Sequence, residues 1–418
     1  MPILLDGLYL LLLAAASPWL VWRSARTGRY RRGLAAKLLG RIAVPADPRP
    51  TVWFHGVSVG EVHLLVTLVA AFRKRHPDWR VIVSSTTDTG MAEARARFPD
   101  LVVVLYPFDF SWAVGRALDT IRPRLVVLAE SELWPNFLHA AARRRIPVAV
   151  VNARLSPRSF ARMRRFAGPV RALLLRHVSA FAAQSDETAD RLQQLGVTGD
   201  RVTVTGSVKY DGAAGDRDAP KSVALRRLLA RRDELVWVAG STHAPEEALV
   251  LAAFGRLRER FPTLRLVLVP RHPDRFAEVA GLDDMVRRGT LAEPLAAMPP
   301  VTLLDTVGEL GAAWALADVG FTGGSLDGKR GGQSMIEPAG YGVPTMFGPH
   351  VWNFRDAARR LVEAGGAVQV NDAGALEVEV ARLLGDDGLR RTMGDAAREL
   401  VRRQQGATER TLDVLDRL

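Results

Sequence analysis

With 418 residues, 48% of them apolar and 24% charged, the chain has the composition of a globular protein long enough for two cores, and not of a disordered or fibrous one. It contains no cysteine, which excludes disulfides and thiolate metal sites and fits a reducing compartment. The net charge of +12 comes mainly from arginines spread along the chain and suits an anionic membrane surface or anionic substrates; with no aromatic-rich RNA-binding signature and no zinc-finger spacing, nucleic acid is not expected as a partner.

The first element is the apolar segment from Ile3 to Trp22, interrupted by Asp6, Gly7, Ser17 and Pro18. It is long enough to span a bilayer. Arg23, Arg26, Arg29, Arg31, Arg32, Lys37 and Arg41 follow it and nothing basic precedes it, an asymmetry that places the rest of the chain in the cytoplasm. A cleaved signal peptide would carry positive charge ahead of its apolar core, although Ala14 to Ala16 mimic a cleavage site. Trp19, Trp22 and Tyr30 suit an interfacial belt on anionic lipid. Asp6 and Pro18 weaken a simple span, so the segment either crosses the membrane or lies in one leaflet. Residues 1–45 are read as this anchor with its basic flank.

From residue 51 onward, short β-branched runs alternate with amphipathic stretches: TVWFH, RVIVSST, LVVVLY, RLVVLAE, PVAVVN, VSAFAAQS and RVTVTGS. They predict a first α/β domain over 46–209. A polar, glycine-containing stretch over 210–221 reads as a linker. ELVWVAGST, LRLVLVPRH, VTLLD, DVGFTGG and GVPTMFG then predict a second α/β domain over 222–418. Two doubly wound halves of this kind present ligand sites at the carboxyl ends of their strands.

Each polar cluster falls just after a predicted strand. In His55-Gly-Val-Ser58-Val-Gly60-Glu61, Glu61 opens a helix, and a carboxylate partly desolvated there is a candidate general base. Glu130-Ser-Glu132-Leu-Trp134-Pro-Asn136 offers Glu130, nearer the strand end than Glu132. Asn152-Ala-Arg154 and Thr205-Gly-Ser207-Val-Lys209 close later strands, and Lys209 is a compact cation for phosphate or carboxylate. In the second half, Gly240-Ser-Thr-His243 precedes Glu246 and Glu247. Pro270 and Arg271 end a strand, and the Arg271 fork suits a phosphate or a base edge. Gly308-Glu309-Leu310 starts a helix, and Asn353-Phe354 follows Gly348-Pro349.

The stretch from Gly323 to Phe354 reads as a phosphate and ribose cradle. Gly323 and Gly324 would free backbone amides for an anion, Ser334 would cap a helix from about Met335, and Glu337 in its first turn would accept from vicinal sugar hydroxyls. Gly323 to Lys329 also matches the G-x-x-x-x-G-K spacing of a P-loop, but Arg330 stands where a magnesium-binding Ser or Thr belongs. The histidines show no H-E-x-x-H pair or facial triad, and the notable D-x-D, Asp216-Arg-Asp218, lies in the predicted linker.

In order, HGVSVGE, ESELWPN, NARLS, TGSVKYD, GSTHAPEE, VPRHPDRF, GEL, GGS, EPA and GPHVWNF make nearly the whole chain resemble the transferases of 3-deoxy-D-manno-octulosonic acid (Kdo). The resemblance implies a GT-B fold, two Rossmann-like doubly wound domains facing a cleft. It implies transfer of Kdo from CMP-Kdo to the lipid A precursor of lipopolysaccharide, with inversion and with no metal or other cofactor. The site would be the cytoplasmic face of the inner membrane, on anionic lipid. By the same resemblance Glu61 is the catalytic base, Glu130 and Lys209 support the transition state, and CMP meets Pro270, Arg271, Gly308, Glu309, Leu310, Ser334, Met335, Ile336 and Glu337. The chain departs from the family at Gln333-Ser334, where His-Asn is usual, and its loop over 326–330 is about one residue longer. Rival readings are a paralogue using another nucleotide sugar, a P-loop nucleotidase and a non-catalytic lipid-surface protein.

Overall fold

Apolar runs without alternation make strands that are buried on both faces, and the helices between them return the chain so that neighbours run parallel. The computed structural model describes residues 2–27, 33–130, 132–213, 215–231, 233–295 and 299–418. Arg29, Tyr30, Arg31 and Arg32 of the basic flank lie outside the described residues, as do Ser131, Ala214 and the side chain of Arg23.

The chain divides into two units, Met1–Asp211 with Gln405–Leu418, and Gly212–Gln404. The first holds a parallel sheet of β1 (Thr51–His55), β2 (Arg80–Ser85), β3 (Val102–Leu105), β4 (Leu125–Ala129), β5 (Val148–Ala153), β6 (Ala180–Ala183) and β7 (Val202–Val204). Its order is β3-β2-β1-β4-β5-β6-β7. Adjacent residues of β1 serve opposite faces, as a strand period of two requires. Trp53 packs on Tyr106 and Phe137, while Phe54 meets Phe72 of the helix Val59–Arg75. Truncating either buried ring to alanine should cost about 3–5 kcal/mol.

The second unit repeats the plan with β8 (Val236–Thr242), β9 (Arg265–Pro270), β10 (Val286–Arg287), β11 (Val301–Leu303), β12 (Val319–Thr322), β13 (Thr345–Phe347) and β14 (Ala367–Gln369). The order is β10-β11-β9-β8-β12-β13-β14, again parallel. Trp237, Phe321 and Met346 fill one face, and Val238, Val267 and Trp314 the other.

The chain end differs from the sequence division, which gave 222–418 to the second domain. The helix Ala407–Leu415 belongs to the first unit because its apolar side has its complement there: Ala407, Leu412 and Leu415 join the core of Phe54, Leu68 and Phe72. Asp211 accepts from the N–H groups of Gly406 and Thr408, and Arg75 reaches Asp413 at 2.8 Å and Asp416 at 2.9 Å. The predicted linker is also more ordered than its composition implies, since Val208–Ala213 is a 3-10 helix and an α-helix begins at Pro220.

The amino-terminal segment is a single helix, α1 (Pro2–Thr27), with Pro18 inside it. Its window Pro2–Trp19 is long and apolar enough to cross a membrane.

Candidate catalytic and nucleotide-binding sites

In the first sheet the strand order reverses between β1 and β4, and the loops that leave these two strands flank that switch point, the usual ligand position in such folds. After β1 the chain turns through Gly56 to Ser58, and Ser58 caps the helix Val59–Arg75 by accepting from the Glu61 N–H. The Glu61 carboxylate folds back on the same turn, accepting from Val57 N–H at 2.7 Å and Ser58 O–H at 3.1 Å. The S-x-x-E spacing thus gives a variant of the capping box, with the carboxylate reaching the N–H of the residue before the cap, and it fixes the orientation of that carboxylate.

Burial is the main force that raises the Glu61 pKa from the ordinary 4.5 to about 7; the charges of Glu130 and Glu132 add to the rise, and the Val57 and Ser58 donors oppose it. A carboxyl group half ionised at neutral pH is matched to accept a proton. Val57 is itself pinned. Its carbonyl accepts from Ser85 O–H at 3.0 Å and Thr87 O–H at 2.8 Å. Sequence reasoning passed over these two hydroxyls, although the Ser84-Ser85-Thr86-Thr87 run at a strand end was a visible signal.

Glu130 stands across the switch point, directly after β4, with a left-handed φ of 58°. Its carboxylate pairs with Lys209 at 3.1 Å, both side chains about a quarter exposed. Asn152, φ 53°, is the last residue but one of β5, and its Oδ1 accepts from Val208 N–H at 3.2 Å, which ties down the segment carrying Lys209. Each such non-glycine residue costs roughly 1 kcal/mol or more in backbone strain. Glu61, Glu130 and Lys209 are therefore gathered at one sheet edge. Glu132 instead accepts from the Trp134 indole at 3.0 Å, and Arg154 is exposed.

In the second unit the order reverses between β8 and β12, and the glycine turn after β12 sits there. Here the expected cradle must be corrected. Glu246, fully buried, accepts from the N–H groups of His243 (3.0 Å), Gly324 (2.7 Å), Ser325 (2.9 Å) and Leu326 (3.1 Å). The turn does bind an anion through its amides, but the anion is a side chain of the protein. Glycine is required at 323 because a Cβ would lie 2.7 Å from the Glu246 carboxylate and 2.6 Å from the Thr242 backbone. Burial pushes the Glu246 pKa up while the four donors hold it down.

Ser334 does not cap the following helix. That helix, Ile336–Gly340, has Met335 at the cap position with no side-chain cap. The segment before it is tied back to the turn by Gly332 N–H to Gly324 O at 2.7 Å and Gln333 N–H to Gly323 O at 3.1 Å, so Ser334 lies outside the helical geometry. A P-loop is equally absent: Lys329 N–H donates to Asp327, Lys329 is exposed, and no helix follows it directly.

What converges on this edge is a basic and imidazole cluster. Arg330 donates to His243 Nδ1 at 3.2 Å, which puts the His243 proton on Nε2; the Gln333 amide end lies 3.3 Å from that nitrogen and accepts the proton when its oxygen is turned toward the ring. Burial, with Arg330 next, lowers the His243 pKa to about 4, so the ring is neutral. Gln333, the residue that departs from the family pattern, is thereby part of the turn's bracing. Pro270 ends β9, and Arg271 N–H donates to Thr242 O at 3.0 Å. Burial raises the Glu337 pKa, and the Arg271 charge opposes the rise. Arg275 is committed to Glu247 and Glu278. Gly308 has φ 88°, Leu310 begins a helix close to Gly240, and the Glu309 side chain is held by Arg288 at 2.9 Å and by Thr306. Asn353 Nδ2 donates to Arg330 O at 2.9 Å. Among the described residues, no group of three or more His, Asp or Glu side chains is arranged to hold a metal ion.

Residues 24–212 match the family model described as 3-deoxy-D-manno-octulosonic-acid transferase (kdotransferase). A 3-deoxy-D-manno-octulosonic acid transferase of Haemophilus influenzae is 35% identical over 94% of this chain and 92% of its own. One from Bordetella pertussis is 36% identical over 98% of both. The chain belongs to the Kdo transferase family. Among solved structures, UDP-GlcNAc 2-epimerase from Neisseria meningitidis has a TM-score of 0.57 over 88% of this chain and 100% of that one. At 12% identity this likeness concerns the fold alone, and the fold is GT-B, with two Rossmann-like units.

Proposed function

We propose that this Kdo transferase family member moves Kdo from CMP-Kdo to the lipid A precursor in lipopolysaccharide inner-core synthesis, with inversion and without a metal. The supporting observation is the Glu61 carboxyl group: oriented by Val57 and Ser58, poised near neutrality, and placed beside the Glu130–Lys209 pair. Glu61 takes the proton of an acceptor hydroxyl as its oxygen attacks the anomeric carbon. The bond to CMP breaks with its electron pair going to the phosphate. Lys209, held by Glu130, offers positive charge to the carboxylate of the sugar or to the developing transition state.

The nucleotide belongs to the second unit. Arg271 meets the phosphate or the base edge, Glu337 accepts from ribose hydroxyls, and Leu310 with Pro270 supplies apolar wall. The amides of 324–326 are occupied by Glu246, so phosphate recognition falls to arginine. α1 keeps the enzyme at the cytoplasmic face of the inner membrane, where both its lipid acceptor and anionic lipid are found.

The test is incubation of the full chain with CMP-Kdo, lipid A precursor and EDTA, with sugars counted by mass spectrometry. One or more Kdo additions with matching CMP release are expected. Donor hydrolysis alone, or transfer only after divalent cation is restored, overturns the reading.

A further inference from the structure

Asp6 interrupts an apolar segment, yet it is buried. It accepts from the N–H of Ser111 at 2.8 Å and from the Ser111 hydroxyl, and it takes the Asn136 amide at 3.0 Å. The reason lies in two helices of the first unit. Ser111–Ile121 has Phe110 at its cap position and Pro135–Arg143 has Trp134, and neither aromatic residue can accept from the free N–H groups behind it. Asp6 caps the first from outside. Asp109 caps the second, accepting from Asn136 N–H at 3.0 Å and Phe137 N–H at 2.8 Å, and the Tyr9 hydroxyl donates to Asp109 at 3.1 Å. One face of α1 is therefore a polar lock onto the catalytic unit.

The opposite face is apolar and exposed. Leu4, Leu8, Leu11, Trp19 and Trp22 recur at helical spacing and are 50–79% exposed. The chain that follows the helix also returns to this unit. Beyond Gly33 the chain packs beside the same loop that binds Asp6: Phe108 N–H donates to Lys37 O at 2.7 Å and the Trp112 indole to Leu38 O at 2.9 Å. Between Thr27 and Gly33 the backbone can reach at most about 20 Å, short of the ~30 Å hydrocarbon layer.

We propose that α1 is a monotopic helix that does not span: Asp6 and Tyr9 hold its first turns on the catalytic unit, both its ends stay on one side of the bilayer, and its Leu/Trp face enters one leaflet. Arg26, exposed in the last turn of the helix, and Arg41, exposed beyond it, supply charge for anionic headgroups at that depth. This rests on the membrane association proposed above and specifies its geometry.

The natural chain has no cysteine, so single cysteines report cleanly. One variant carries a Gly-Ser-Cys extension ahead of Met1, and another carries Gln194→Cys at an exposed position of the first unit. Each is expressed in Gram-negative cells and treated with a membrane-impermeant maleimide in right-side-out and inside-out inner-membrane vesicles. Both cysteines should react in inside-out vesicles, to within about twofold of each other, and neither in right-side-out ones. Reaction of the extension in right-side-out vesicles, with Gln194→Cys protected there, overturns the monotopic geometry. Recovery of both variants in the soluble fraction would instead refute membrane association itself.

Discussion

Replacing Glu61 by glutamine separates the chemical role of this residue from its structural one. The amide can still accept from Val57 N–H and donate to Ser58 Oγ, so the turn is kept and only the ionisable group is lost. Proton transfer by a placed base is worth about 10²–10⁴-fold, and kcat should fall by that factor with KM for CMP-Kdo little changed. Stability should move the other way. A pKa raised from 4.5 to about 7 means that folding stabilises the protonated form by roughly 3 kcal/mol at about 1.36 kcal/mol per pH unit; partial exposure of Glu61 reduces this to about 2 kcal/mol. That contribution is fully present below the unfolded pKa near 4.5 and lost as pH rises through about 7, so the wild type loses stability over this window and Glu61→Gln does not. In calorimetry at about pH 8.5 the variant should melt several degrees higher, and at about pH 4.5 the difference should be small. Equal activity of variant and wild type, or a melting difference independent of pH, would refute the assignment of a buried, proton-accepting carboxylate.

Three further outcomes follow from the same contacts. Because the Glu130 charge helps raise the Glu61 pKa, Glu130→Gln should move the acidic limb of the kcat/KM–pH profile below the wild-type position near 7, and an unmoved limb would contradict their coupling. Glu246→Ala leaves four buried N–H groups without a partner; unfolding of the second unit in urea should be easier by about 3–5 kcal/mol and CMP affinity should drop, whereas intact CMP binding by calorimetry would show that the turn holds without it. Arg271→Ala should weaken CMP binding at least tenfold, and because the Arg271 charge opposes the rise in the Glu337 pKa, that carboxyl should titrate higher by NMR.

Where the sequence was legible, the reason was local. Buried parallel strands are apolar runs, so twelve of the strands were readable, while β10 and β14, short and at sheet edges, offered too few residues to register. Glu61 was readable because a strand, a small-residue turn and S-x-x-E are contiguous. Glu246 was not: at the start of a helix it looks like any solvated glutamate, and three of the four amides it binds lie 78–80 positions later. The same distance hid Asp6, which reads as a flaw in an apolar segment until Ser111, 105 residues on, is brought against it. Ser334 misled for the opposite reason, since a Ser before an apolar stretch is a cap signal wherever it occurs, and here backbone pairing of Gly332 and Gln333 with the glycine turn overrides it.

The central claim is a single displacement at the anomeric carbon of Kdo with Glu61 as the base. The configuration of the product tests it most directly: NMR of the sugar transferred from CMP-Kdo to lipid A precursor by the full chain in EDTA. The account predicts one anomer, inverted relative to the donor, its yield collapsing in Glu61→Gln while CMP still binds. A product with retained configuration, or full yield from Glu61→Gln, would contradict it.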